Sequence, residues 1–104
     1  MNKKNHVVSV HITFKSTDAS DAMKDYAEDK ICRCVEKFAQ SNIDVHVVLS
    51  VEKKRQIAEA SFNHLGSQVK ASESSEDMYK SVDLLIDTVS SQLRKKKEKA
   101  TAHH

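Results

Sequence analysis

The apolar residues of this chain change their spacing as it is read, and the order of those changes leaves few folds open. Val8, Val10, Ile12 and Phe14 alternate with Ser9, His11 and Thr13, the period of two expected of a strand with one buried face. From Met23 the spacing turns helical, through Ala27, Ile31, Cys34, Val35 and Phe38, and Thr17, Asp18 and Ser20 offer N-cap oxygens just before it. This predicts a helix over about residues 20–39. Alternation returns at Ile43, Val45, Val47, Leu49 and Val51, the strongest strand signal in the chain. A charged turn over 52–56 leads to a weaker strand, in which Ala58, Ala60 and Phe62 oppose Glu59, Ser61 and Asn63. The single glycine, Gly66, marks a reversal before a short fourth strand at Val69 and Ala71.

A second helical pattern, Met78, Val82, Leu85, Ile86, Val89 and Leu93, runs from about Glu76 to Lys97, with Ser74 or Ser75 to cap it. Roughly 22 residues at 1.5 Å each make a rod of ~33 Å, so its last turns should project beyond the core. The order is therefore β-α-β-β-β-α. A strand, helix and strand in succession favour a right-handed crossover between parallel strands, and two short links favour antiparallel hairpins. The expected fold is α+β, a four-stranded mixed sheet with two helices packed on one face, because each strand has one apolar side to bury. At 104 residues, one domain is expected over 1–104, with its core at about 7–97 and a basic tail over 98–104.

Chemistry is sparse. There is no Gly-rich phosphate loop, nucleophile elbow or His-Glu-x-x-His motif, so neither catalysis on a small-molecule substrate nor a cofactor is expected. Cys32 and Cys34 lie two apart on a predicted helix and so point about 200° away from each other. Core filler for Cys34 and a surface thiol for Cys32 are preferred over a disulfide or shared metal. His6, His11 and His46 fall at outward or terminal positions, while His64 shares the buried side with Phe62 and reads as a packed histidine, so no metal site is expected. Asp83 and Asp87 are spaced i,i+4 with Tyr79 one turn before, and no pocket is implied. Tyr79 and Asp83 are expected to fix the helix on the sheet. No apolar run approaches the ~20 residues that span a bilayer, and the first residues lack a signal-peptide apolar region, so a cytoplasmic protein without membrane contact is expected.

The basic residues are better organised than the net charge of +2 suggests. Lys30, Arg33 and Lys37 follow i, i+3, i+7 along one stripe, and Lys24 extends the charge toward the helix start. In the second helix Lys80 and Arg94 share the outward side, and Lys95, Lys96, Lys97 and Lys99 surround its end. Side by side, the helices would present one positive strip suited to a phosphate backbone. RNA fits better than DNA, because no recognition-helix motif is present. The Phe residues read as core, so base stacking on the sheet is not expected. The plain alternative is a solvated Lys-rich helix end that complements the helix dipole.

Residues 47–53 (VVLSVEK) and the run EDMYKSVDLLIDTVSSQLRKKKEK resemble the ribosome hibernation-promoting factor family, also known for ribosome-associated inhibition and sigma-54 modulation. Asp77-Met78-Tyr79, Val82-Asp83, Leu85-Ile86-Asp87 and Gln92-Leu93-Arg94-Lys95 all keep the family's spacing. The resemblance implies a fold like the double-stranded-RNA-binding domain. It also implies a non-enzymatic protein that binds the small ribosomal subunit and its 16S rRNA in the channel for mRNA and the A- and P-site tRNAs, silencing ribosomes under stress or in stationary phase. It carries RNA contact onto Lys24, Lys30, Arg33, Lys37, Lys80, Arg94, Lys95, Lys96 and Lys97. Phe14 departs from a family glycine after strand one, and His64 from an apolar position. The length suggests the short form, a monomer off the ribosome that acts beside a second small ribosome-dimerising protein. An interaction module modulating a transcription factor is the alternative, suggested by near-neutral charge and a polar sheet face. A metal or redox role for Cys32 and the histidines ranks last.

Overall fold

Parallel pairing of the first two strands brings the opening helix onto the sheet. The computed structural model describes residues 6–102, with side chains over 6–95, so the side chains of Lys96, Lys97 and Lys99 and residues 103–104 lie outside the described residues. Strand β1 (Val8–Lys15) runs parallel to β2 (Ile43–Glu52), with Val8 beside Ile43 and Phe14 beside Leu49, and helix α1 (Asp21–Glu36) bridges them. Strands β3 (Arg55–His64) and β4 (Ser67–Ser75) follow as antiparallel hairpins, so the sheet order is β1-β2-β3-β4. Helix α2 (Met78–Ala102) closes the order. The β-α-β-β-β-α order, the mixed sheet and the pairing senses all agree with the sequence reading.

Both helices pack on one face, α1 against β1 and α2 against β4 and β3. The core lies between them, centred on Ile31, Val35, Val45, Val47, Leu49, Val82, Leu85 and Val89, each at most 1% exposed. Ala58 and Ala60 are also buried. Their small side chains let α2 lie close over β3, an inner strand of ten residues despite its weak apolar pattern. The fourth strand is longer than expected, nine residues, because its pairing with β3 extends from Ser67 to Ser75 through hydroxyl residues that carry no apolar alternation. Helix α2 continues to Ala102, so residues 98–102 prolong the helix.

Caps define the helix starts. Ser20 accepts from the Met23 N–H at 3.2 Å, as expected. For α2 the cap is Asp77, which accepts from the Tyr79 N–H at 3.1 Å, while Ser75 supports Asp77 by accepting from its N–H at 3.2 Å. The family departures are absorbed locally. Phe14 sits half-buried inside β1, and the left-handed residue that begins the turn is Ser16 (φ 59). His64 is 8% exposed, and its Nε2 accepts from the Gln40 N–H at 3.2 Å, tying the α1–β2 link to the end of β3.

Leu65 and Gly66 form the β3–β4 turn with φ of 53 and 80, the positive pair that a type I′ hairpin requires. Nothing lies within 4 Å of a Cβ placed on Gly66, so conformation alone holds glycine there. Leucine is a poor choice for the other position, since its side chain is exposed and its backbone left-handed. Leu65→Asn should stabilise the protein by about 1 kcal/mol, read as a higher urea midpoint with unchanged slope. An unmoved or lower midpoint would mean that Leu65 makes a contact worth more than the strain.

Candidate nucleic-acid interface

The seam between the helices organises the helical face. Strands β1, β2 and β4 run in one direction, so α1 and α2 both run back against it and lie parallel to each other. Their contacts climb in step. The Tyr26 hydroxyl donates to Asp83 Oδ1 at 2.6 Å, Tyr26 meets Tyr79 edge to face at 4.8 Å, and farther along Cys34 Sγ lies 3.9 Å from the Ile86 carbonyl. Lys30 Nζ stands 5.4 Å from the Tyr26 ring centre, a cation–π contact at the same seam.

This corrects the expected role of Tyr79 and Asp83, which tie α2 to α1 and not to the sheet. Both are exposed on the flank of α2 that turns toward α1. The buried polar anchor of the first turn of α2 to the sheet is Ser81, whose hydroxyl donates to the Gln56 carbonyl at 2.7 Å and lies 2.7 Å from Ser75 Oγ. The sequence reading missed Ser81 and Tyr26. Tyr26 could have been found, because it sits three residues after Met23 and four before Lys30, on the edge of the apolar stripe.

Lys30, Arg33 and Lys37 are exposed and share the flank of α1 that carries Tyr26, so they border the seam. Arg33 Nε contacts Asp29 Oδ1 at 3.0 Å, but both side chains are more than half exposed. Such a pair is worth ~0–1 kcal/mol and leaves further guanidinium N–H groups for a ligand. Lys24 stands apart, roughly 120° round the helix from Lys30. On α2, Lys80 and Arg94 lie within about 40° of each other, while Lys95 points about 100° away from Arg94, beside Thr88 and Gln92 toward β4. Asp83 and Asp87 occupy the same row as Arg94, within about 20° of it. The expected strip is thus interrupted by acids in the first half of α2, with Lys30, Arg33 and Lys37 along α1 beside them and Arg94 and Lys95 farther along α2. Sequence spacing places residues on one helix and is silent on what the neighbouring helix adds.

The thiols point apart, as their spacing demands. Cys32 Sγ is 3.4 Å from Glu36 Oε2 and 3.8 Å from the Val8 carbonyl, whereas Cys34 faces α2. Burial first, then the hydrogen bond to Glu36, raises the Cys32 pKa. Burial raises that of Cys34 against an opposing pull from Lys37. Both thiols are therefore less nucleophilic than a free cysteine. On the opposite side of the sheet, His11 and His46 stack across β1 and β2 with ring centres 5.2 Å apart, and His11 Nε2 lies 3.8 Å from Asp44 Oδ1.

The hydrogen bond to Asp83, followed by desolvation, raises the Tyr26 pKa above its ordinary value. A raised acid favours its neutral form in the fold, so this contribution is complete below pH about 10 and is lost as pH climbs through the folded value. Tyr26 should therefore ionise later than free tyrosine in ultraviolet absorbance, and Asp83→Asn should lower its midpoint. Tyr26→Phe should cost about 1 kcal/mol, since both partners remain wet. A Tyr26 midpoint indifferent to Asp83→Asn would remove this bond from the seam.

A family model described as sigma 54 modulation protein / S30EA ribosomal protein matches residues 10–101. The ribosome hibernation promoting factor of Azotobacter vinelandii is 40% identical over 92 residues, covering 88% of this chain and 85% of that relative. The factor of the same name from Escherichia coli is 31% identical over 96 residues, covering 92% of this chain and 100% of that relative. Among solved structures, a ribosomal subunit interface protein from Coxiella burnetii superposes with a TM-score of 0.74 at 31% identity, over 86% of this chain and 97% of that one. The N-terminal domain of Thermus thermophilus Protein Y matches with the same TM-score at 26% identity, over 86% of this chain and 97% of that one. With all six elements of the β-α-β-β-β-α frame reached by the match, and relatives above 30% identity along most of both sequences, this chain belongs to the ribosome hibernation promoting factor family, whose members are not enzymes.

Proposed function

We propose that this protein is a ribosome-associated hibernation factor of the cytoplasm. Its helical face binds 16S rRNA of the small subunit in the channel for mRNA and the A- and P-site tRNAs, and silences ribosomes by occupying that space under stress or in stationary phase. The reading rests on the family membership together with one observation, two parallel helices of which α1 borders the seam with Lys30, Arg33 and Lys37 and α2 carries Arg94 and Lys95 beyond the acids. Lys30, Arg33 and Lys37 from α1, and Arg94, Lys95, Lys96 and Lys97 from α2, are the proposed phosphate contacts. Lys24 and Lys80 serve as outlying contacts. No bond is made or broken. Each phosphate neutralised releases counterions, so binding is salt-sensitive, and inhibition follows from volume alone. A helix of ~37 Å gives α2 the reach to carry its basic end past the core into a groove. Off the ribosome the protein is a monomer, and a second small ribosome-dimerising protein is its proposed partner on it.

Sedimentation through a sucrose gradient with purified ribosomes tests this. The protein should travel with the small subunit at low salt and leave it as salt rises. Reversing Arg94, Lys95 and Lys96 together to Glu should abolish binding while circular dichroism stays unchanged. Replacing them one at a time should flatten the plot of log affinity against log salt by about 0.7–0.9 per lost contact. Protein that remains at the top of the gradient at low salt would overturn the proposal.

A further inference from the structure

The open face of the sheet carries a row of side chains that the helical reading does not use. His11 pairs with His46, His46 with Ser61, and Ser61 with Lys70, so these four stand side by side across all four strands. The alternation that turns Phe62 and Val69 inward turns Ser61 and Lys70 outward. His11 covers one face of the His46 ring, with an interplanar angle of 21°. The other face of His46 looks across Ser61, the smallest member of the row, toward Lys70. A depression of about 390 Å3 lies there, lined by His46, Val48, Glu59, Ser61, Lys70 and Ser72.

The width selects a ligand. Two strand spacings separate His46 from Lys70, roughly 9.6 Å. One planar ring in van der Waals contact with both walls needs roughly 7–8 Å, and two would need more than the gap supplies. The aromatic wall suits a π-face, the ammonium of Lys70 suits a phosphate, and the Glu59 carboxylate accepts hydrogen bonds from ring N–H and amino groups. A protein partner fits less well, because Val48 and Ile57 are the apolar residues of the outward rows, too few for the core of a standard interface. A duplex backbone fits poorly too, since Glu59 and Asp44 offset the nearby cation.

We propose that this slot binds one unpaired nucleobase of a single-stranded RNA, stacked on His46 with Lys70 on its phosphate and its amino edge on Glu59. Guanine is favoured, because its ring N–H and adjacent amino group offer a carboxylate two parallel donors. The Phe side chains do lie on the core side of the sheet, yet the outward face supplies imidazoles in their place, and these stack bases as phenyl rings do. The site is separate from the helical face and would let one molecule hold folded rRNA on one side and a loose strand on the other.

Amide and imidazole NMR signals of the full-length protein, titrated with short single-stranded RNAs, test the slot. A guanine-containing strand should shift His46, Ser61 and Lys70, an all-uridine strand should shift them less at equal concentration, and a duplex should leave them in place. His46→Ala should weaken binding of the guanine strand by roughly fivefold or more, and Glu59→Gln should erase the preference over uridine. The protein with Arg94, Lys95 and Lys96 changed to Glu should keep the sheet-face shifts, which separates this site from the helical one. Shifts confined to the helices, or a His46→Ala variant that binds undiminished, overturn the proposal. So does a response of these signals to nuclease-treated ribosomal proteins but not to RNA.

Discussion

One-sided burial governs this molecule. Each strand has a single apolar face and each helix a single apolar stripe, so both helices must cover the same side of the sheet. Parallel pairing of β1 with β2 and the two hairpins that follow make β4 run with β1, which sends α1 and α2 back in the same direction. Helix α1 ends about level with the middle of α2, since Cys34 meets Ile86, so α2 runs on past the α1 C-terminus. Arg33 in the last turn of α1 and Lys37 at its C-cap complement the negative end of that helix's dipole. These two residues are also among the cations proposed to meet rRNA.

The near-zero net charge conceals a division of labour around α1. Its flank toward α2 holds Tyr26, Lys30, Arg33 and Lys37, while Cys32 and Glu36 face β1. These cations of α1 therefore line the seam. Acids still matter there. Asp83 holds Tyr26, and together with Asp87 it separates Lys80 from Arg94 along α2. The sheet face is balanced in charge and richer in hydroxyl and imidazole groups, a surface suited to stacking and hydrogen bonding more than to a bare polyanion.

Polar side chains set the relative position of the two layers. Ser81 is a small hydroxyl residue in a helical run, unremarked by periodicity, yet it is buried against the Gln56 carbonyl and pins the first turn of α2 to β3. Farther along, the Thr88 hydroxyl lies 2.6 Å from Glu73 Oε2, and Gln92 Nε2 donates to the Lys70 carbonyl at 2.9 Å, so α2 is stitched to β4 along its length. These bonds explain why a nine-residue β4 with little apolar content is a full member of the sheet.

Element order, strand faces and the core residues were legible in the sequence, because side-chain period follows from local backbone geometry and needs no knowledge of distant neighbours. The basic stripe of α1 was legible for the same reason, and the resemblance in the α2 run pointed to the family that the comparisons show. What the tertiary structure alone decided was lateral. Tyr26 finds Asp83 across 57 residues of chain, His11 meets His46 through a parallel register, and Ser61 opens a gap only because Lys70 lies two strands from His46. Each of those neighbours depends on how separate elements slide and turn against one another, and that is settled by packing summed over the whole core, not by any stretch of sequence.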